Sequence, residues 1–96
     1  MNTRRVVVTG IGALTPIGNN LNEYWESLKK GVSGAAPITH FNAETFKTKF
    51  ACEVKGFDVT EFINRKEARK LDKFSQYALV VAKEAFDKSD LNKNNI

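Results

Sequence analysis

Three consecutive β-branched residues, Val6-Val7-Val8, run into Thr9-Gly10-Ile11-Gly12 and then into Thr15-Pro16-Ile17-Gly18. An unbroken apolar run does not alternate as a half-exposed strand does. It reads as a strand covered on both faces, the habit of a parallel strand inside an α/β sheet. The glycines turn the chain sharply, and Pro16 pushes Thr15 out of the α region, so no helix follows at once. Such a strand needs neighbours and covering helices. A chain of 96 residues is at most one small domain that leaves much of its surface wet.

The following segments supply some of these elements. Asn20 or Asn22 can cap a helix over about Asn22 to Lys30, with Glu23 and Glu26 early and Lys29 and Lys30 late, as the helix dipole favours. Leu21, Trp25, Leu28 and Val32 mark its apolar face, and Gly31 is its left-handed stop. Ser33 to Phe41 reads as loop, with Pro37 barring regular structure. Phe50 to Lys55 alternates as a strand, with Phe50, Cys52 and Val54 on the buried side, ended by Gly56. Asp58 and Glu61 resemble a capping box that opens a short helix.

From Leu71 the pattern is strongly helical. Leu71, Phe74, Ala78, Val81, Ala82 and Ala85 recur at helical spacing, and the helix should end near Lys88 or Ser89. Its apolar side chains span an arc of roughly 200°, with Val80 in the middle of the opposite, polar arc. Such a helix packs on more than one side. The order is strand, helix, strand, short helix, long helix. A doubly covered strand and a doubly covered helix both ask for more protein, so the chain reads as a segment of a larger α/β domain.

Gly10-Ile11-Gly12 invites a dinucleotide-binding reading. That fingerprint needs a third glycine where Thr15 stands and a helix where Pro16 forbids one. A tight structural turn is the better reading. Gly31-Val32-Ser33-Gly34 is one residue short of a nucleophile elbow and lies at a helix end. Cys52 lies on the apolar side of a strand pattern beside Glu53, which suits a small buried filler rather than a reactive thiol. His40 is the single histidine, and no set of residues has metal-ligand spacing. No cofactor or metal is expected. One cysteine fits a reducing, cytoplasmic setting, and no apolar run approaches a membrane span.

Arg65, Lys66, Arg69, Lys70 and Lys73 remain. If the stretch is one helix, their directions fall within about 140° of one another. A solvated charged face is one reading. A docking patch for an acidic partner is the other, consistent with the net charge of +4. No aromatic residues are interleaved for base stacking, so neither nucleic acid nor a membrane is the expected partner.

Several blocks in order resemble the β-ketoacyl-acyl-carrier-protein synthases. They are Arg4-Arg5-Val-Val-Val-Thr-Gly-Ile-Gly-Ala-Leu-Thr-Pro-Ile-Gly18, Trp25-x-x-Leu28-x-x-Gly31-x-Ser33-Gly34, Ile38-x-x-Phe41 and Lys49-Phe50-Ala51. Arg65-Lys66-Glu67-x-Arg69-Lys70-x-Asp72-x-Phe74-x-Gln76-Tyr77-Ala78 and Glu84-Ala85 continue in register, and the Arg-Lys-Glu block is most similar to the synthase II branch. The resemblance implies the thiolase-like fold, of which residues 1–96 would be an incomplete N-terminal segment, roughly a quarter of a family member.

The resemblance further implies a homodimeric enzyme of fatty acid biosynthesis that elongates acyl chains by decarboxylative Claisen condensation with malonyl-carrier protein. The family's catalytic cysteine and two histidines lie beyond residue 96; Cys52 and His40 do not match them, and the segment alone should be inactive. Lys66, Arg69 and Lys70 match the family's docking patch for its acidic acyl-carrier protein. Arg65 and Lys73 join them from the helical-face argument alone. A non-catalytic chain-length-factor-like subunit and an independent basic binding module are the alternative readings.

Overall fold

The computed structural model describes residues 3–91. The first helix, α1 (Leu21–Lys30), forms where its caps direct it. Asn20 is extended, and its side chain accepts the Glu23 amide at 2.9 Å. Glu23 reaches back to the Asn19 amide at 2.9 Å, a capping box displaced by one residue. Gly31, at φ 69°, ends the helix in the left-handed region, and the amides of Gly31 and Val32 return to the carbonyls of Leu28 and Ser27. The predicted apolar face is only partly used. Leu21 is half-buried, whereas Trp25, Leu28 and Val32 are exposed and the Tyr24–Ser27 side faces the neighbouring loop. Gly18 lies so close to the Tyr24 backbone that a side chain there would collide with it.

The predicted doubly covered strand is not formed. Val6, Val7 and Val8 are 90%, 61% and 79% exposed, and no strand is assigned across residues 3–14. A strand exists through its ladder, and among the described residues no segment lies alongside to supply one. The sharp turn expected at Gly10-Ile11-Gly12 is not formed, and the chain turns later, at Pro16-Ile17. Thr15 and Gly18 exchange backbone hydrogen bonds of 2.8 and 3.2 Å around Pro16-Ile17.

A short antiparallel hairpin follows, β1 (Ala35–Pro37) paired with β2 (Phe50–Cys52). β1 was expected to be loop. Pro37 is tolerated because the two-stranded sheet consists of edges, where a missing N–H need not break a ladder. β2 is shorter than predicted and shows the opposite burial. Ala51 and its partner Ala36 are half-buried, while Phe50 and Cys52 are exposed. Cys52 is therefore not the buried filler expected of it. Beyond β2 the chain is tied down by side chains. The Lys55 ammonium donates to the carbonyls of Gly34 (2.7 Å), Glu53 (2.8 Å) and Pro16 (3.3 Å).

Asp58 caps a 3₁₀ turn (Val59–Glu61) rather than an α-helix, and its carboxylate accepts the Thr60 amide at 2.9 Å. Phe57 stacks on Phe62 and meets Tyr77 edge-on at 5.6 Å, holding this turn against the last helix. The last helices are α2 (Arg65–Arg69) and α3 (Lys73–Lys88). α3 spans the residues expected of the long helix and ends at Ser89. Its buried side differs from the predicted one. Val80 is 5% exposed, whereas Phe74 is 73% exposed and Ala78 and Ala82 are open. The described residues pack against the Tyr77–Val80–Val81–Glu84 side only, so the expected second cover is not seen among them.

Ala43, Ala68 and Val80 are the buried apolar residues among those described. The radius of gyration is 17.4 Å, against roughly 13 Å for a compact chain of similar length. This is a layer of elements around an open face rather than a closed core.

Candidate functional site

The cationic segment is not one helix. Asn64 caps α2 by accepting the Lys66 amide at 2.8 Å, and the helix stops at Lys70 after 5 residues. Asp72 is extended and opens α3. Arg65, Lys66 and Arg69 therefore ride on α2, Lys70 closes it, and Lys73 begins α3. The predicted face of about 140° assumed a continuous helix, and the break at Lys70–Asp72 overturns it. A side-chain amide holds the corner: Gln76 Nε2 donates to the carbonyls of Ala68 (2.9 Å) and Leu71 (3.2 Å). Ala68, buried beneath, fixes the side of α2 that faces inward.

All five cations are exposed. Among the described residues, Lys70 alone of the five forms an ion pair, with Glu67 at 4.0 Å and both side chains largely in water, while Arg65 lies close enough to Asp58 to help lower its carboxyl pKa. Such a pair contributes almost nothing. The segment thus presents charges that are neither neutralised nor buried, and pairing them with an acidic surface costs little desolvation.

Lys73 also lines a recess of about 180 Å³ with His40, Gln76 and Tyr77. His40 stands on the connection between the strands and is held there by Glu53, whose Oε2 lies 3.2 Å from His40 Nδ1. Glu53 accepts further hydrogen bonds from the Thr39 amide and hydroxyl (3.1 and 2.9 Å) and from the His40 amide (3.3 Å). Partial burial pushes the Glu53 carboxyl up, but these donors and the His40 charge outweigh it and hold the group below its ordinary value. Neither Cys52 nor His40 is paired as a nucleophile with a base. A separate hollow of about 440 Å³, between the start of α1, the 3₁₀ turn and α3, is lined by neither cysteine, serine nor histidine. No group of three metal-ligating side chains occurs among the described residues, and no helix there is long and apolar enough to cross a membrane.

The glycines at 10 and 12 have a different task from the one their spacing first suggests. A methyl group on Gly12 would strike the Val81 carbonyl, and one on Gly10 the Ala85 carbonyl. The glycines let the segment before Thr15 lie directly on α3. Glu84 fastens this contact. Its carboxylate accepts the Ala13 amide at 2.8 Å and the Leu21 amide at 3.0 Å, and Lys88 approaches it at 3.3 Å. Burial works to raise the Glu84 pKa, and the Leu21 and Ala13 amides with Lys88 lower it further than burial raises it. By residue type alone Glu84 would be assigned to the polar arc of the helix. The one sequence signal of its importance is its place in the Glu84-Ala85 block.

The family described as beta-ketoacyl synthase, N-terminal domain, matches residues 3–96. The 3-oxoacyl-[acyl-carrier-protein] synthase 2 of Synechocystis sp. is 44% identical over all 96 residues, which cover 23% of that protein. The synthase 2 of Vibrio harveyi is 48% identical over 91 residues, 95% of this chain and 22% of that one. A solved structure described as the ishigamide ketosynthase/chain length factor superposes with a TM-score of 0.86 at 38% identity, covering 97% of this chain and 23% of its counterpart. The chain thus spans less than a quarter of the length of these relatives. Its mixed helices and strands are those of a ketosynthase N-terminal region, thiolase-like by family. The chain belongs to the beta-ketoacyl synthase family, matching its N-terminal domain from Thr3 to the last residue.

Proposed function

We propose that residues 1–96 are the N-terminal segment of an elongating β-ketoacyl-acyl-carrier-protein synthase of fatty acid biosynthesis, a cytoplasmic homodimer when complete. The observation that carries this reading is the 44% identity to a synthase 2 along the whole chain. In the proposed reaction an acyl group passes from its carrier protein to a cysteine beyond residue 96. Malonyl-carrier protein then releases carbon dioxide, and the resulting carbanion attacks the thioester carbonyl, expelling the cysteine thiolate. The segment supplies no catalytic group. Its contribution is the docking surface of Lys66, Arg69 and Lys70 for the acidic carrier protein, with Arg65 beside them on α2; Lys73, which joined them only through a continuous helix, begins α3 instead. Their exposure without strong internal partners supports this. A core of so few buried residues also speaks for a segment of a larger domain over an independent binding module.

The test is a double charge reversal, R69E/K70E, in the full-length enzyme. KM for acyl-carrier protein should rise about tenfold or more, as loss of steering and of two rim contacts implies, while turnover of a small thioester mimic stays near the parent value. Unchanged carrier-protein kinetics would refute the docking role. The similarity to a ketosynthase/chain length factor supports a second reading, a non-catalytic subunit of the same fold. A coding sequence downstream of Ile96 with the fold but without a nucleophilic cysteine would favour it.

A further inference from the structure

Resting on the docking role proposed above, we infer that Gln76 is a positioning residue for carrier-protein docking: by clamping the carbonyls at the end of α2 from the first turn of α3, it fixes the backbone from which the docking cations project. α2 has 5 residues, too few to stand as a helix on its own. Its start is held by Asn64, which accepts the Lys66 amide at 2.8 Å. At its end the carbonyls lack helical partners and need donors from elsewhere. The Lys70 and Leu71 amides return to the carbonyls of Glu67 and Ala68, at 3.1 Å each. Gln76 Nε2 adds two bonds, to the Ala68 carbonyl at 2.9 Å and to the Leu71 carbonyl at 3.2 Å. Asp72, the N-cap of α3, makes no side-chain cap bond.

The placement of the clamp ties it to docking. Arg69 and Lys70 are the two residues between the clamped carbonyls of Ala68 and Leu71. Ala68 is 5% exposed and anchors this stretch from beneath. Gln76 is half-buried, and its own amide bonds to the Asp72 carbonyl at 3.0 Å, so the clamp is itself fixed to the start of α3. The cationic side chains are exposed, and the one ion pair among Lys66, Arg69 and Lys70, from Lys70 to Glu67 at 4.0 Å, lies largely in water. Nothing at their tips sets their direction, which leaves the backbone between Ala68 and Leu71 to set their origin and spread. Charges on a preorganised backbone meet a partner at a lower entropic cost than charges on a loose turn.

The experiment compares the full-length enzyme with its Q76M variant, which keeps an unbranched stem and has no donor. KM for acyl-carrier protein should rise about three- to tenfold on loss of the two hydrogen bonds, while turnover of a small thioester mimic stays at the parent value. The amides of residues 66–71 should exchange with solvent about tenfold faster. In the R69E/K70E background Q76M should raise KM no further, because the charges that it positions are gone. An unchanged KM in Q76M overturns the inference. So does a matching fall in turnover of the mimic, which would show that Gln76 supports the fold at large, and so does an equal rise in KM in the R69E/K70E background. If R69E/K70E leaves KM unchanged, the docking role itself falls. If R69E/K70E raises KM while Q76M follows the parent, only the positioning role of Gln76 falls.

Discussion

Replacing Glu84 by alanine should release the segment around Ala13 and the start of α1 from α3 together. The carboxylate holds two backbone amides, Ala13 at 2.8 Å and Leu21 at 3.0 Å, and its side chain is 16% exposed. Hydrogen bonds to a charged group contribute about 1.5–3 kcal/mol each, and water recovers part of that where it can enter. Leu21 is the first residue of α1, so a negative charge there also complements the helix dipole. The combined loss for E84A is about 3 kcal/mol of local stability, less than the sum because both amides share one group. E84Q keeps an acceptor oxygen but not the charge, and should lose about half as much. Amide hydrogen exchange in the full-length protein reads this directly. Peptides spanning residues 13–21 should exchange about 100-fold faster in E84A and about tenfold faster in E84Q, since about 1.4 kcal/mol is a factor of ten. Unchanged exchange across 13–21 in E84A would mean that Glu84 does not fasten the segment.

The other expectations are independent of that one. G12A drives a methyl group into the Val81 carbonyl and should cost about 1–3 kcal/mol in urea denaturation of the full-length protein, because neither backbone can give way cheaply. N20A removes the cap on α1 and should cost about 1 kcal/mol, whereas N20D should retain most of it. Acid should weaken the segment through Glu84, Asp58 and Glu53, whose carboxyls are all held below their ordinary values. For such groups the stabilisation is fully present above the unfolded-state value and disappears as pH falls through the folded one. The urea midpoint should therefore be flat at neutral pH and decline below about pH 4, with a shallower decline in E84Q.

Much of the local structure was legible in the sequence. The caps of α1, the lack of a helix immediately after Thr15 and the end of α3 all follow from residues within a few positions of the feature they control. The five cations were picked out by type and by family resemblance, but their arrangement was not legible. Their shared face was conditional on Arg65 to Lys73 being one helix, and no proline or glycine marks the break. The break becomes intelligible only once Gln76 is seen holding the carbonyls of Ala68 and Leu71. Val80 was misplaced for a related reason. A helix that is apolar over most of its girth does not state which stripe meets a neighbour.

By itself the sequence determined short-range features: where α1 starts and stops, where α3 ends, that no helix follows Pro16 at once, and which family the blocks resemble. Those depend on backbone φ preferences, capping oxygens and residue type, all of which act within a turn or two. Tertiary structure alone decided which surfaces meet. Glu84 reaches partners 71 and 63 positions away. Lys55 gathers carbonyls from three separate segments, and the glycines at 10 and 12 are explained by the backbone of α3. Such contacts depend on how distant segments are brought together, and no local pattern carries that information. The same reason governs Val6 to Val8: their residue type asks for a strand, but a strand requires a neighbour that pairs with it, and none of the described residues provides one.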